Sequence, residues 1–166
     1  METIQKSKFS IFLLVLILMY SCNDTTEFNL YKTVENSSWK SRQRIAFTFE
    51  VKDTISPKNL YINIRNNNDY EFSNLYIITT LEFPNNSLVI DTLHYEMTDI
   101  SGIFLGNGFS EIKENKLFYK EGKVFPVSGK YTLRIRHAMR KNREINTIEN
   151  LNGIQDVGFS IEKINE

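Results

Sequence analysis

The chain has 166 residues, 20 basic and 20 acidic side chains, 41% apolar residues and 13% aromatics, with three prolines and one cysteine. That length holds at most one ordinary domain, and the apolar content excludes a disordered chain. Zero net charge argues against a nucleic-acid binder held by a basic field, and one thiol excludes both a disulfide framework and a cysteine-rich metal site.

Lys6 and Lys8 precede a run from Phe9 to Tyr20 in which only Ser10 is not apolar. This is the profile of a signal peptide. Twelve residues at a helical rise of about 1.5 Å span roughly 18 Å, short of the roughly 30 Å hydrocarbon core, so a permanent transmembrane helix is not expected. The run stops at Ser21-Cys22. A small residue directly before a cysteine at the end of an apolar stretch marks a bacterial lipoprotein signal, with Cys22 as the lipidated new N-terminus and the anchor to a membrane. Loss of residues 1–21 removes two bases and one acid and leaves a net charge of about −1, which disfavours electrostatic adhesion to anionic lipid as the main interaction.

Residues 22–38 read as the lipidated cysteine and a polar tether, with Trp39 pinning its end to a domain at 39–166. Period-two alternation then begins, with Ile45, Phe47, Phe49 and Val51 on one face and Ala46, Thr48 and Glu50 on the other. Leu60, Ile62 and Ile64 repeat the pattern. Leu75 to Phe83 is apolar on both faces for part of its length, as in a central strand, and Pro84-Asn85-Asn86-Ser87 turns the chain into a strand from Leu88 to Tyr95. Gly102, Gly106 and Gly108 suit a bulge or tight loop, and Ser110 to Lys116 is expected to make one short helical turn. Gly122 to Gly129, broken by Pro126, is an edge strand or a connection. In the strand from Tyr131 to Met139, His137 shares the apolar face and is expected to be a hydrogen-bonded core residue. Val157, Phe159 and Ile161 form the last strand. Seven or eight short strands give an all-β chain, a single antiparallel β-sandwich of jelly-roll or immunoglobulin-like topology.

Catalytic chemistry finds little to stand on. His94 and His137 lie on different strands without metal-ligand spacing, so no metal or other cofactor is expected. There is no G-x-S-x-G, and Gly106-Asn107-Gly108 lacks the rest of a phosphate loop. Asp91, Glu96 and Glu114 are the carboxylates that a glycosidase on such a fold would draw on, and nothing in the order of residues places them across a cleft. Two polar features suit contact with a partner. One is Arg65, Asn66, Asn67, Asn68 and Asp69, followed by Tyr70, an amide cluster that serves either as a hairpin loop or as a surface for a sugar or protein. The other is Lys130 to Arg143, six bases and no acid, with Arg134 and Arg136 on one strand face and Arg140 and Lys141 just beyond. With Tyr70, Phe72 and Tyr76, the amide cluster also raises a carbohydrate-binding sandwich as the alternative function.

Taken in order, N-x-x-W (Asn36 to Trp39), N-L-Y-I-N-I-R-N-N-N-D-Y (Asn59 to Tyr70), S-N-L-Y (Ser73 to Tyr76), L-E-F-P (Leu81 to Pro84), D-T-L-x-Y-E-M (Asp91 to Met97) and G-x-G-F (Gly106 to Phe109) resemble the GldH family of gliding-motility lipoproteins of Bacteroidetes. K-E-N-K-L (Lys113 to Leu117), F-P-x-S-G-K-Y (Phe125 to Tyr131), A-M-R (Ala138 to Arg140) and G-I-x-D-V-G-F (Gly153 to Phe159) continue the resemblance to the end of the domain. It implies a cell-envelope lipoprotein of the gliding machinery, tied to type IX protein secretion. Its implied partners are other gliding-motility lipoproteins and secretion-system subunits. The family offers no catalytic residue to carry over.

Overall fold

The computed structural model describes residues 25–108 and 110–164. The expected signal peptide and Cys22 lie outside them. Ten strands run in the order β1 (Thr26–Thr33), β2 (Ser38–Lys40), β3 (Ile45–Val51), β4 (Lys58–Asn66), β5 (Asn74–Glu82), β6 (Leu88–Glu96), β7 (Lys113–Lys123), β8 (Gly129–His137), β9 (Asn150–Asn152) and β10 (Ile154–Lys163). They form two four-stranded antiparallel sheets, β1-β10-β4-β7 and β3-β8-β5-β6, and a two-stranded ribbon of β2 and β9. The expected sandwich is present.

Alternation decides which side chains meet between the sheets. Ile45, Phe47, Phe49 and Val51 of β3 and Tyr131, Leu133, Ile135 and His137 of β8 are all buried, while the residues between them face outward. Strand β5 lies between β8 and β6, which explains why it is apolar on both sides. Phe49 centres an aromatic cluster near one end, with ring centroids 5.3 Å from Phe159, 5.6 Å from Phe28, 5.7 Å from Tyr131 and 5.9 Å from Phe125. Each such buried ring contributes about 1.5–3 kcal/mol. Lys58 closes that end of the core: only 3% exposed, it pairs with Glu27 at 2.8 Å and Asp53 at 3.3 Å.

Three expectations are corrected. The polar tether does not extend to Ser38, because Thr26 to Thr33 pairs along its length with β10, and Phe28 packs against the core. Only the chain before Thr26 is left to link the sandwich to Cys22. The helical turn expected at 110–116 is absent among the described residues: β7 starts at Lys113, since pairing with β4 outweighs the helical preference of Lys and Glu. Finally, His137 is buried as expected, but neither ring nitrogen makes a hydrogen bond of ordinary geometry.

The register fixes two poles. The start of β1, the ends of β3, β7 and β10, and the starts of β4 and β8 lie together. So do the connections 52–57, 83–87 and 124–128. The opposite pole gathers the connections 67–73, 97–112 and 138–149 with the β2–β9 ribbon. The chain therefore joins its expected anchor at one pole and displays its longest loops at the other.

Candidate interaction surface

The amide cluster is not a hairpin. Strands β4 and β5 belong to different sheets, so Asn67 to Ser73 crosses between them at the distal pole. Its conformation is determined by neighbouring backbone: Asn67 N–H donates to the Gly153 carbonyl at 2.9 Å, and the Asn67 side chain bonds Asp69 twice, at 3.0 Å each. Gly153 has φ +85° and lies so close to Tyr70 that a Cβ would collide with the Tyr70 backbone. Asn66 is fully buried; its side-chain oxygen accepts from Asn115 at 2.8 Å and its amide nitrogen donates to the Asn67 carbonyl. It belongs to the interior, and of the cluster Asn68 and Asp69 are the exposed residues.

Arg65 faces outward from the β1-β10-β4-β7 sheet and is engaged there. Its guanidinium lies 4.1 Å from the Tyr31 ring centroid, 3.1 Å from a Glu114 oxygen and 3.8 Å from Asp156. Tyr31 in turn donates to Glu114 at 2.6 Å, which holds the Glu114 carboxyl below its ordinary value, with Arg65 adding to the effect against burial. Arg134 and Arg136 project from the other sheet, where Arg134 meets Glu82 at 2.6 Å. Arg140 and Lys141 are exposed at the distal pole. The basic stretch is thus divided between a sheet face and a loop.

The structure brings Asn68, Asp69, Arg140 and Lys141 to one pole. Glu71 borders two shallow recesses there, one of about 440 Å³ with Asn36, Asn68, Asp69 and Asn152, the other of about 430 Å³ with Phe72, Tyr76, Arg140 and Lys141. Met97 and Thr98 donate to the Ser73 carbonyl and so attach the 97–112 loop beside them. Sequence reasoning missed that loop's contribution. Asp99 accepts from the backbone of Ser101 and Ile103, and Gly102 turns with φ +81°, leaving Ile100 fully exposed and Ile103 and Leu105 largely so. Apolar residues beside glycine, in a stretch without alternation, were the available signal. The pole combines apolar tips with exposed bases and acids.

The aromatics expected to support sugar binding do other work. Tyr70 is buried and donates to the Asn74 carbonyl at 2.6 Å, Phe72 packs on the core, and Tyr76 stacks on His94 at 4.4 Å. The three carboxylates are likewise dispersed. Asp91 accepts from Tyr119 and pairs with Lys120, Glu96 lies 3.6 Å from His94, and Glu114 holds Arg65. Among the described residues no group of three or more His, Cys, Asp or Glu side chains is arranged to hold a metal ion.

Comparison with known proteins gives this fold a family. The model of the GldH lipoprotein family matches residues 26–161, from the first residue of β1 into β10. A gliding motility lipoprotein GldH homolog of Christiangramia forsetii is 43% identical over 160 residues, covering 95% of this chain and 98% of the relative. The gliding motility lipoprotein GldH of Flavobacterium johnsoniae is 42% identical over 153 residues, covering 92% and 94%. Among solved structures, the VP2 subviral particle of infectious bursal disease virus is a loose likeness, with 11% identity and a TM-score of 0.40 over 83% of this chain and 33% of that one. The chain belongs to the GldH lipoprotein family and is a membrane-anchored lipoprotein of the cell envelope.

Proposed function

We propose that this protein is a non-enzymatic docking component of the gliding machinery and of the type IX secretion system associated with it. Lipid on Cys22 holds it at an envelope membrane, and the distal pole receives partner subunits of that machinery. The observation that carries the reading is the convergence of exposed loop residues, Asn68, Asp69 and Glu71, Ile100, Ile103 and Leu105, and Arg140 and Lys141, at the pole opposite the chain's link to its anchor. A lipid anchor restricts the protein to a membrane plane, and exposed loops on the far side are what other subunits can reach. The names of its relatives supply the process.

The test is genetic and chemical together. Ile100→Asp with Ile103→Asp, and separately Arg140→Glu with Lys141→Glu, are introduced into the chromosomal gene, and spreading, surface-protein secretion and cross-linked partners are compared with a deletion strain. The proposal expects the deletion to abolish spreading or secretion and the distal variants to lose cross-links while the protein stays folded and membrane-bound. Normal spreading and normal secretion in the deletion strain would overturn it.

A further inference from the structure

At the pole where β1 begins, three exposed apolar side chains stand on loops that are held in place. In the 52–57 connection, Asp53 accepts hydrogen bonds from the backbone of Ile55 and Ser56 at 2.9 and 3.0 Å, which projects Ile55 outward, 84% exposed. In the 124–128 connection, Phe125 is fully buried and Tyr131 donates to the Val127 carbonyl at 2.7 Å. With that ring anchored inward, Val124 and Val127 are left facing solvent. Ile164, just beyond β10, adds a fourth apolar side chain at the same pole.

What covers these residues follows from the chain itself. Lys163 N–H donates to the Thr25 carbonyl at 2.9 Å, so the polypeptide leaves the sandwich at this pole. Cys22 is three residues earlier, and three residues reach at most about 11 Å. A domain held that closely presents this end to the bilayer. Lys52, Lys130 and Lys163 are exposed around it, with Glu50 and Glu121 among them, so charge is near balance and the apolar tips must supply the contact.

We propose that this pole seats on the bilayer that holds the anchor, with Ile55, Val124 and Val127 entering the headgroup layer. The inference rests on the lipidation of Cys22. Seating of this kind fixes the orientation of the sandwich, so the distal pole points away from the membrane.

In the full lipidated chain Cys22 is consumed by acylation, and Ile55→Cys or Val127→Cys then offers one reactive thiol. Each is labelled with an environment-sensitive fluorophore and reconstituted into phosphatidylethanolamine vesicles with a minority of phosphatidylglycerol, some lipids bearing a headgroup nitroxide. Ile100→Cys and Ile145→Cys are the distal controls. The expected result is severalfold stronger nitroxide quenching at positions 55 and 127 than at 100 and 145, with blue-shifted emission that persists in high salt. Quenching no stronger than in the controls, on chains that float with the vesicles, overturns the seating and leaves the anchor standing. Blue-shifted emission without nitroxide quenching assigns the pole to contact with a second copy of the chain and overturns it as well. A wild-type chain that does not float, and whose Cys22 reacts with the fluorophore, overturns the anchor and the seating together.

Discussion

The Tyr31 ring lies across Gly158, on the neighbouring strand, at a place where a Cβ would sit 2.7 Å from the ring. The absence of a side chain at 158 lets Tyr31, on one edge strand, reach Glu114 on the opposite edge strand of the same sheet, with Arg65 stacked on the ring between them. Gly158→Ala is therefore expected to displace the ring and lower stability by about 1–3 kcal/mol, as overpacking does. The same substitution in a Tyr31→Ala background should cost clearly less, because the colliding group is gone. Urea unfolding of the four members of this cycle reads the coupling; equal costs in both backgrounds would refute it.

This relationship also shows what the sequence could reveal. The faces of β3 and β8 were legible because strict alternation against a buried core leaves one arrangement. Strand β1 was not, since an edge strand with one residue packed on the core carries almost no apolar period. Ser110 to Lys116 looked helical, and only the pairing of β7 with β4, with the Asn115 side-chain amide donating to the Ile64 carbonyl, makes its second half a strand. The candidate surface was half visible: loop residues Asn68, Asp69, Arg140 and Lys141 were identifiable by type, but their meeting at one pole depends on a crossover between sheets that no local pattern encodes. Asn66 looked like its neighbours and is interior because it ends a central strand.

The β1 result gives a truncation test. A chain beginning at Thr25 keeps every strand, whereas one beginning at Ser38 loses β1, leaves the β10 edge unpaired and removes Phe28 and Val34 from the core. The first should unfold cooperatively with a normal melting temperature. The second should be insoluble or melt far lower, as an exposed strand edge with a breached core predicts. A fully stable chain from Ser38 would restore the longer tether.

Lys58 offers a test of how one end of the core is closed. Burial disfavours its charge, but the bonds to Glu27 and Asp53 outweigh this and raise its pKa above that of an ordinary lysine. Its stabilising effect is thus complete below the ordinary lysine pKa and is lost as pH rises through the folded value. Lys58→Met keeps the packed stem and should stay within about 1 kcal/mol of wild type, while Lys58→Ala also opens a void and should cost about 2–3 kcal/mol. Both carboxylate partners are partly exposed, so water moderates the loss of the ion pair. If the methionine variant is as unstable as the alanine variant, charge rather than packing dominates there.

His137 should make the fold acid-sensitive. Its ring is wholly buried, edge-on to Trp39 at 5.5 Å between centroids, and burial pushes its pKa down to about 4, with the Trp39 backbone opposing and Arg136 reinforcing the shift. Between that value and the ordinary value of 6.5, the unfolded chain binds a proton that the folded chain does not. Stability is then full above the ordinary histidine range and falls as pH drops toward 4, by about 3 kcal/mol over the interval. Carboxylate titration contributes to any acid transition, so the measurement is a comparison: urea midpoints of wild type and His137→Phe from neutral pH to about 4.5. The phenylalanine keeps an aromatic ring beside Trp39 and removes the proton site, so its midpoint should decline less steeply with acid than that of wild type. Parallel pH profiles for the two chains would mean that His137 titrates alike folded and unfolded, which a ring wholly withdrawn from water cannot do.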